Sequence, residues 1–85
     1  MKITVRYFAH VRESLGTGRE DHELPEQIRT LGAMRVWLTT QSERHAQVLD
    51  AARSLRMACN QTVGDAQTEL QAGCEVAFFP PVTGG

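Results

Sequence analysis

The residues of this chain that could carry chemistry stand at its end, Gly84 and Gly85, closing the string Phe78-Phe79-Pro80-Pro81-Val82-Thr83-Gly84-Gly85. Glycine leaves the main chain bare, so a terminal carboxylate on Gly85 can approach a neighbouring surface closely. The residues before it decide how it is presented. Pro80 and Pro81 hold φ near the polyproline value and lack an amide donor, so they cannot extend a central strand and must project the chain away from it. Val82 and Thr83 are β-branched and favour an extended backbone. Core, stiff spacer and thin tip follow one another. A narrow slot in a partner enzyme demands this shape if the Gly85 carboxylate is to meet the α-phosphate of ATP and become an acyl-adenylate. Frayed termini are also rich in glycine and proline, but fraying does not explain two aromatics, two prolines and two glycines arranged with no polar linker between them.

No catalytic set of residues appears elsewhere. His10, His22 and His45 fall in three different elements with no metal-ligand spacing, and each reads as a surface or hydrogen-bonded histidine. Ser14, Ser42 and Ser54 have no neighbouring motif, and Gly16-Thr17-Gly18 lacks the Gly-Lys-Ser/Thr continuation of a phosphate loop. Glu20, Asp21 and Glu23 read as a solvated strand edge. Cys59 and Cys74 form no C-x-x-C pair, so zinc and thioredoxin-type chemistry lack their motif. Cys59 is expected as a small core residue and Cys74, in Ala72-Gly73-Cys74-Glu75, as an exposed turn residue. No metal ligands are assigned. A carboxylate is inert at neutral pH until one oxygen becomes a leaving group, so activation must come from outside.

The elements that position the tail follow from periodicity. Ile3, Val5 and Tyr7 alternate with Thr4, Arg6 and Phe8 as a strand with one buried face. Ala9 to Leu15 predicts a short helix closed by Gly16 and Gly18, and Arg19 to Leu24 a polar edge strand ended by Pro25. Thr30 is positioned to cap the main helix, in which Leu31, Met34 and Leu38 share a face beside Trp37; it should end near Gln41 or Ser42. Ser42 caps a second segment with Ala46 and Leu49 inward. Leu55, Met57 and Cys59 then alternate with Arg56 and Ala58, Asn60-Gln61 turns, and a short strand lies around Thr62-Val63. Thr68 to Gln71 is expected as a turn of helix. Glu75 to Phe79 is apolar on both faces, as a central strand is. If its second face has no helix over it, that face is a docking surface. One of Phe78 and Phe79 must be core; Phe79 is assigned outward, with Tyr7 or Phe8 beside it and Arg12 at the border.

Eighty-five residues make one domain with a modest core. Nine basic and ten acidic residues give a net charge of −1, which disfavours nucleic-acid binding. The first residues meet a charge too often for a signal peptide or membrane span, so a soluble, cytoplasmic protein is expected.

Residues Glu75 to Gly85, the segment Tyr7-Phe8-Ala9-His10-Val11-Arg12-Glu13-Ser14-Leu15-Gly16 and the turn Asn60-Gln61-Thr62 resemble the molybdopterin synthase small subunit, the MoaD family. The resemblance implies an α+β fold, the β-grasp or ubiquitin-like roll: a mixed sheet of about five strands, one main helix and a protruding tail, with residues 1–79 as the domain and 80–85 as the arm. It also implies that a ubiquitin-activating-type adenylyltransferase adenylates Gly85 with ATP, and that a sulfur donor converts it to a thiocarboxylate. The arm of Phe79, Pro80, Pro81, Val82 and Thr83, with Gly84 and Gly85 at its tip, would then enter the large subunit of a heterotetrameric synthase, where sulfur passes to cyclic pyranopterin monophosphate. Phe8 and Arg12 would border the docking face. No cofactor is expected on the chain, and catalytic residues are expected on the large subunit. The glycines alone leave open a ubiquitin-like protein modifier, a thiamine-type sulfur carrier and an interaction-only module.

Overall fold

The computed structural model describes residues 1–81; the expectations for Val82, Thr83, Gly84 and Gly85 lie outside the described residues. Alternating burial makes Lys2–Tyr7 a strand (β1), with Ile3, Val5 and Tyr7 at most 1% exposed. Phe8 keeps the extended backbone and serves as the N-cap of Ala9–Leu15 (α1), which Gly16 closes at φ 76°, a left-handed value that glycine adopts without strain. The polar segment Arg19–Glu23 (β2) pairs antiparallel with β1 and forms one edge of the sheet.

Thr30 caps the main helix Leu31–Leu38 (α2) by accepting from the Ala33 amide at 3.1 Å. It stops at Leu38, short of Gln41, because Thr39 and Thr40 turn their hydroxyls back onto the carbonyls of Val36 and Trp37 and the last turn tightens. Ser42 caps Glu43–Leu49 (α3) through the His45 amide. Gly32 lowers helix propensity but is needed where it stands: a Cβ there would lie 2.8 Å from the Cβ of Ala66 and 3.0 Å from its carbonyl oxygen. That approach lets the Ala66 and Thr68 carbonyls of the loop accept from the orphan amides of Gly32 and Leu31.

Arg56–Cys59 (β3) and Thr62–Gly64 (β4) form a hairpin whose turn residues, Asn60 and Gln61, both have positive φ, as a two-residue hairpin turn requires. The expected helical turn over 68–71 is absent. That stretch is extended, with Glu69 bridged to Thr30 and Leu70 buried against the core. Its backbone satisfies the α2 entrance, which a helix there would not do.

Glu75–Phe79 (β5) runs parallel to β1 and antiparallel to β3, giving the sheet order β2-β1-β5-β3-β4. One core fills the space between sheet and helices, built on Val5, Val76, Phe78, Leu31, Met34, Leu38 and Leu49, each at 0% exposure, with Trp37 packed at its margin. Cys74 corrects the expectation of an exposed turn residue. Gly73, at φ 76°, takes the bend, and Cys74 already lies in register with β1, its carbonyl accepting from Thr4 and its side chain 2% exposed. Cys59 is the half-buried one. Among the described residues no helix is long and apolar enough to cross a membrane.

Two of the three histidines meet on one carboxylate. Glu20 accepts from the Tyr7 hydroxyl at 2.7 Å and lies 3.0 Å from the Nε2 atoms of both His22 and His45, so it joins β1, β2 and α3. Burial by itself raises the Glu20 pKa, but the bonds from Tyr7, His22 and His45 together hold it below the ordinary glutamate value. A depressed carboxylate contributes stability that is full above its unfolded value near 4.5 and is lost as the pH falls through the lower folded value. Glu20→Gln should therefore flatten the acid side of the stability-against-pH curve. Glu20→Ala should cost about 1–3 kcal/mol at neutral pH, since it strips a buried hydroxyl of its acceptor; chemical denaturation across pH reads both. Equal acid sensitivity in wild type and Glu20→Gln would contradict this account.

Candidate docking face and arm root

The helices occupy one face of the sheet and leave the other to solvent. Alternation then assigns the outer face without further freedom, since successive side chains on a strand point to opposite sides. On β5, Val76 and Phe78 enter the core at 0% exposure, whereas Ala77 and Phe79 are half-buried on the open side. The register brings Arg6 of β1 beside Ala77, Ala58 of β3 on its other flank, and Val63 of β4 beyond; Arg56 faces Phe79. Ala58 is 5% exposed although it lies on this side, between Ala77 and Val63.

Phe8 extends the row past the end of β1. Its amide donates to the Phe78 carbonyl at 3.1 Å, which sets it next to Phe79, and its ring is 43% exposed. The Arg6 guanidinium lies 5.6 Å from the centre of that ring, a cation–π contact that holds the ring out of the core. Tyr7, the other aromatic expected here, is not on this face. It is buried, stacks on Phe78 at 5.9 Å, and its phenol is pushed far above its usual pKa by burial and by Glu20. Arg12 lies one helical turn beyond Phe8, with its side chain packed against Gly18. Phe8, Phe79 and Arg12 are thus gathered at one end of the sheet, together with half-buried Pro80 and exposed Pro81.

Sequence reasoning placed Ala77 with Phe79 on this side of β5 but did not bring Arg6 and Arg56 to it. The alternation was visible, but the partners of each strand were not. It also missed Ala9, which takes φ 53° at the elbow between β1 and α1. A left-handed alanine costs roughly 1–2 kcal/mol, and nothing in the residue type signals it. Among the described residues no group of three or more His, Cys, Asp or Glu side chains could hold a metal ion.

A five-stranded mixed sheet with helices on one side, its first strand parallel to a central last strand, defines the β-grasp or ubiquitin-like class. The chain belongs to the ThiS family, whose model matches residues 5–85, in keeping with the family resemblance carried by its two ends. It is 43% identical over 83 residues to the molybdopterin synthase sulfur carrier subunit of Escherichia coli, spanning 98% of this chain and 99% of that one. The small archaeal modifier protein 1 of Haloferax volcanii superposes with a TM-score of 0.74 at 21% identity, over 95% of this chain and 98% of its own. A chain of the protein–protein complex of subunits 1 and 2 of molybdopterin-converting factor from Helicobacter pylori gives 0.67 at 22% identity, over 100% of each chain. These two structures share the fold.

The opposite placements of the two phenylalanines can be tested directly. Phe78→Ala should destabilise the domain by about 3–5 kcal/mol, as large-to-small changes in a core do. Phe79→Arg should leave the thermal midpoint nearly unchanged. Comparable losses in the two variants would show that Phe79 is also core.

Proposed function

We propose that the chain is the sulfur carrier of a molybdopterin synthase and that Gly85 is its working residue. The observation that carries this reading is the end-to-end match to a curated sulfur carrier subunit, joined to a fold that delivers the chain end from the central strand β5. The Gly85 carboxylate attacks the α-phosphate of ATP on a ubiquitin-activating-type adenylyltransferase, pyrophosphate leaves, and a mixed anhydride with AMP forms. A hydrosulfide equivalent from a sulfur donor then displaces AMP and leaves a thiocarboxylate. The arm, residues 80–85, enters the large synthase subunit, where sulfur moves to cyclic pyranopterin monophosphate and water restores the carboxylate. This chain contributes no acid or base of its own to the chemistry. Its part is to hold a thin, charged tip at a fixed distance from a docking face made by Phe8, Phe79 and Arg12.

The pairing with a large subunit is favoured by the complex in which the Helicobacter pylori chain was solved. The modifier reading has only a shared fold behind it, since the archaeal modifier is 21% identical.

Removing Gly85 should leave folding intact, because the residue lies beyond both prolines, and should abolish adenylation by the cognate enzyme. The positive test is fragment-resolved mass spectrometry of protein isolated from its own cells. Replacement of one carboxylate oxygen by sulfur at Gly85 is expected, and the fragment must be located because oxidised methionine gives nearly the same mass change. Gly85 joined instead to lysine side chains of other proteins would move the chain to the modifier class.

A further inference from the structure

A basic cleft lies beside the arm root, on the helix side and away from the docking face. His10 and Ser14 of α1, Arg44 of α3, and Arg53 and Ser54 of the segment entering β3 line a space of about 600 Å³. No carboxylate lines it. Among the described residues neither Arg44 nor Arg53 takes part in an ion pair.

The cleft is built, not accidental. The Arg53 amide donates to the Asp50 carbonyl at 2.8 Å, its carbonyl accepts from Arg35 Nη2 at 2.8 Å, and its own Nε donates to the Gln47 carbonyl at 3.1 Å. Arg35 reaches across from α2 and also binds the carbonyls of Leu49 and Asp50, at 2.7 and 2.6 Å. The stem of Arg53 is therefore fixed while its Nη groups have no partner among the described residues. An unpaired guanidinium on a fixed stem loses little entropy on binding, and its planar fork matches a carboxylate.

Position and size select the occupant. Two residues after Arg53 the chain reaches Leu55, and Arg56 then faces Phe79 across β3 and β5, so the cleft opens at the end of the sheet where the arm leaves. A single phosphate would fill only a small part of 600 Å³. A segment bearing several carboxylates has room in it and finds two arginines and the hydroxyls of Ser14 and Ser54 on its lining.

We propose that this cleft seats an acidic segment of the protein that receives the arm, with carboxylates on Arg44 and Arg53. The proposal rests on the reading that a partner takes up the arm. It gives that partner a second hold on the opposite side of the sheet from Phe8 and Phe79, and two holds fix the direction in which the arm enters.

The test begins with amide NMR spectra of the full chain titrated with a capped oligoglutamate peptide. Saturable shifts are expected at His10, Ser14, Arg44, Arg53 and Ser54. They should vanish in Arg44→Glu/Arg53→Glu and persist in Arg29→Glu, which changes an arginine lining a different cleft with Glu26 and Glu69. Absent or scattered shifts, or the same shifts from inorganic phosphate at equal concentration, would overturn the proposal. Affinity for the large synthase subunit of the same organism is then measured across salt. The double variant should bind roughly tenfold or more weakly, with a shallower salt dependence, and an unchanged affinity would also overturn it. If the wild type fails to bind that subunit while the peptide shifts remain, the synthase reading fails and the acidic-peptide site stands.

Discussion

Everything in this molecule depends on β5 being the central strand. Its residues are bonded on one side to β1 in parallel and on the other to β3 antiparallel, so the segment that leads to the arm is held by two ladders at once. A strand in that place must be apolar on its core face and cannot slip by one residue, since a slip would turn Phe78 and Val76 to solvent and drive Ala77 and Phe79 inward. The register also fixes where in the sheet β5 ends and Pro80 begins. Because β5 pairs with β1, the last strand of the chain closes on the first. Contacts of such long sequence separation form late and slowly, so a correctly placed arm root is available only in the fully folded domain.

Alternation and capping made most elements legible. The residues of β1 and β5, the caps Thr30 and Ser42, the glycine end of α1 and the Asn60-Gln61 turn all follow local rules and stand where those rules place them. Failures came where a distant partner decided the local structure. Residues 68–71 are extended because the α2 entrance needs their carbonyls, and Cys74 is buried because β1 captures it one residue before β5 begins. The docking face was readable only in part. Phe79 followed from alternation along its own strand, but Tyr7 and Phe8 could be told apart only once Phe78 was found stacked on Tyr7. Arg6 and Arg56 needed the register.

Charge is distributed to serve two ends. At the β2 edge, Glu20 gathers Tyr7, His22 and His45, so a polar strand with few apolar residues is tied to the core by hydrogen bonds to a carboxylate. Such a tie suits a small domain whose core alone leaves little stability to spare. At the arm end the balance reverses, with Arg44, Arg53 and Arg56 free of carboxylate partners among the described residues. The chain is near neutral as a whole, yet these three arginines stand without ion-pair partners near the end of the sheet where β5 stops. A partner bearing carboxylates would meet that end first, since complementary fields act mainly on encounter and orientation.

Pro80 is where these requirements meet. A residue with an amide at that position could continue the ladder toward the backbone that follows Phe8 or precedes Arg56, and the arm would be drawn into the sheet as a further pair. Proline removes that donor, and the ladder ends at Phe79. The second proline, Pro81, holds Pro80 itself extended, because the residue before a proline is kept out of the helical region. The end of the central strand is thus imposed by covalent structure. For the carrier role proposed above, with its chemistry at Gly85, a strand stopped at a covalently fixed position keeps the sheet's stability independent of that chemistry.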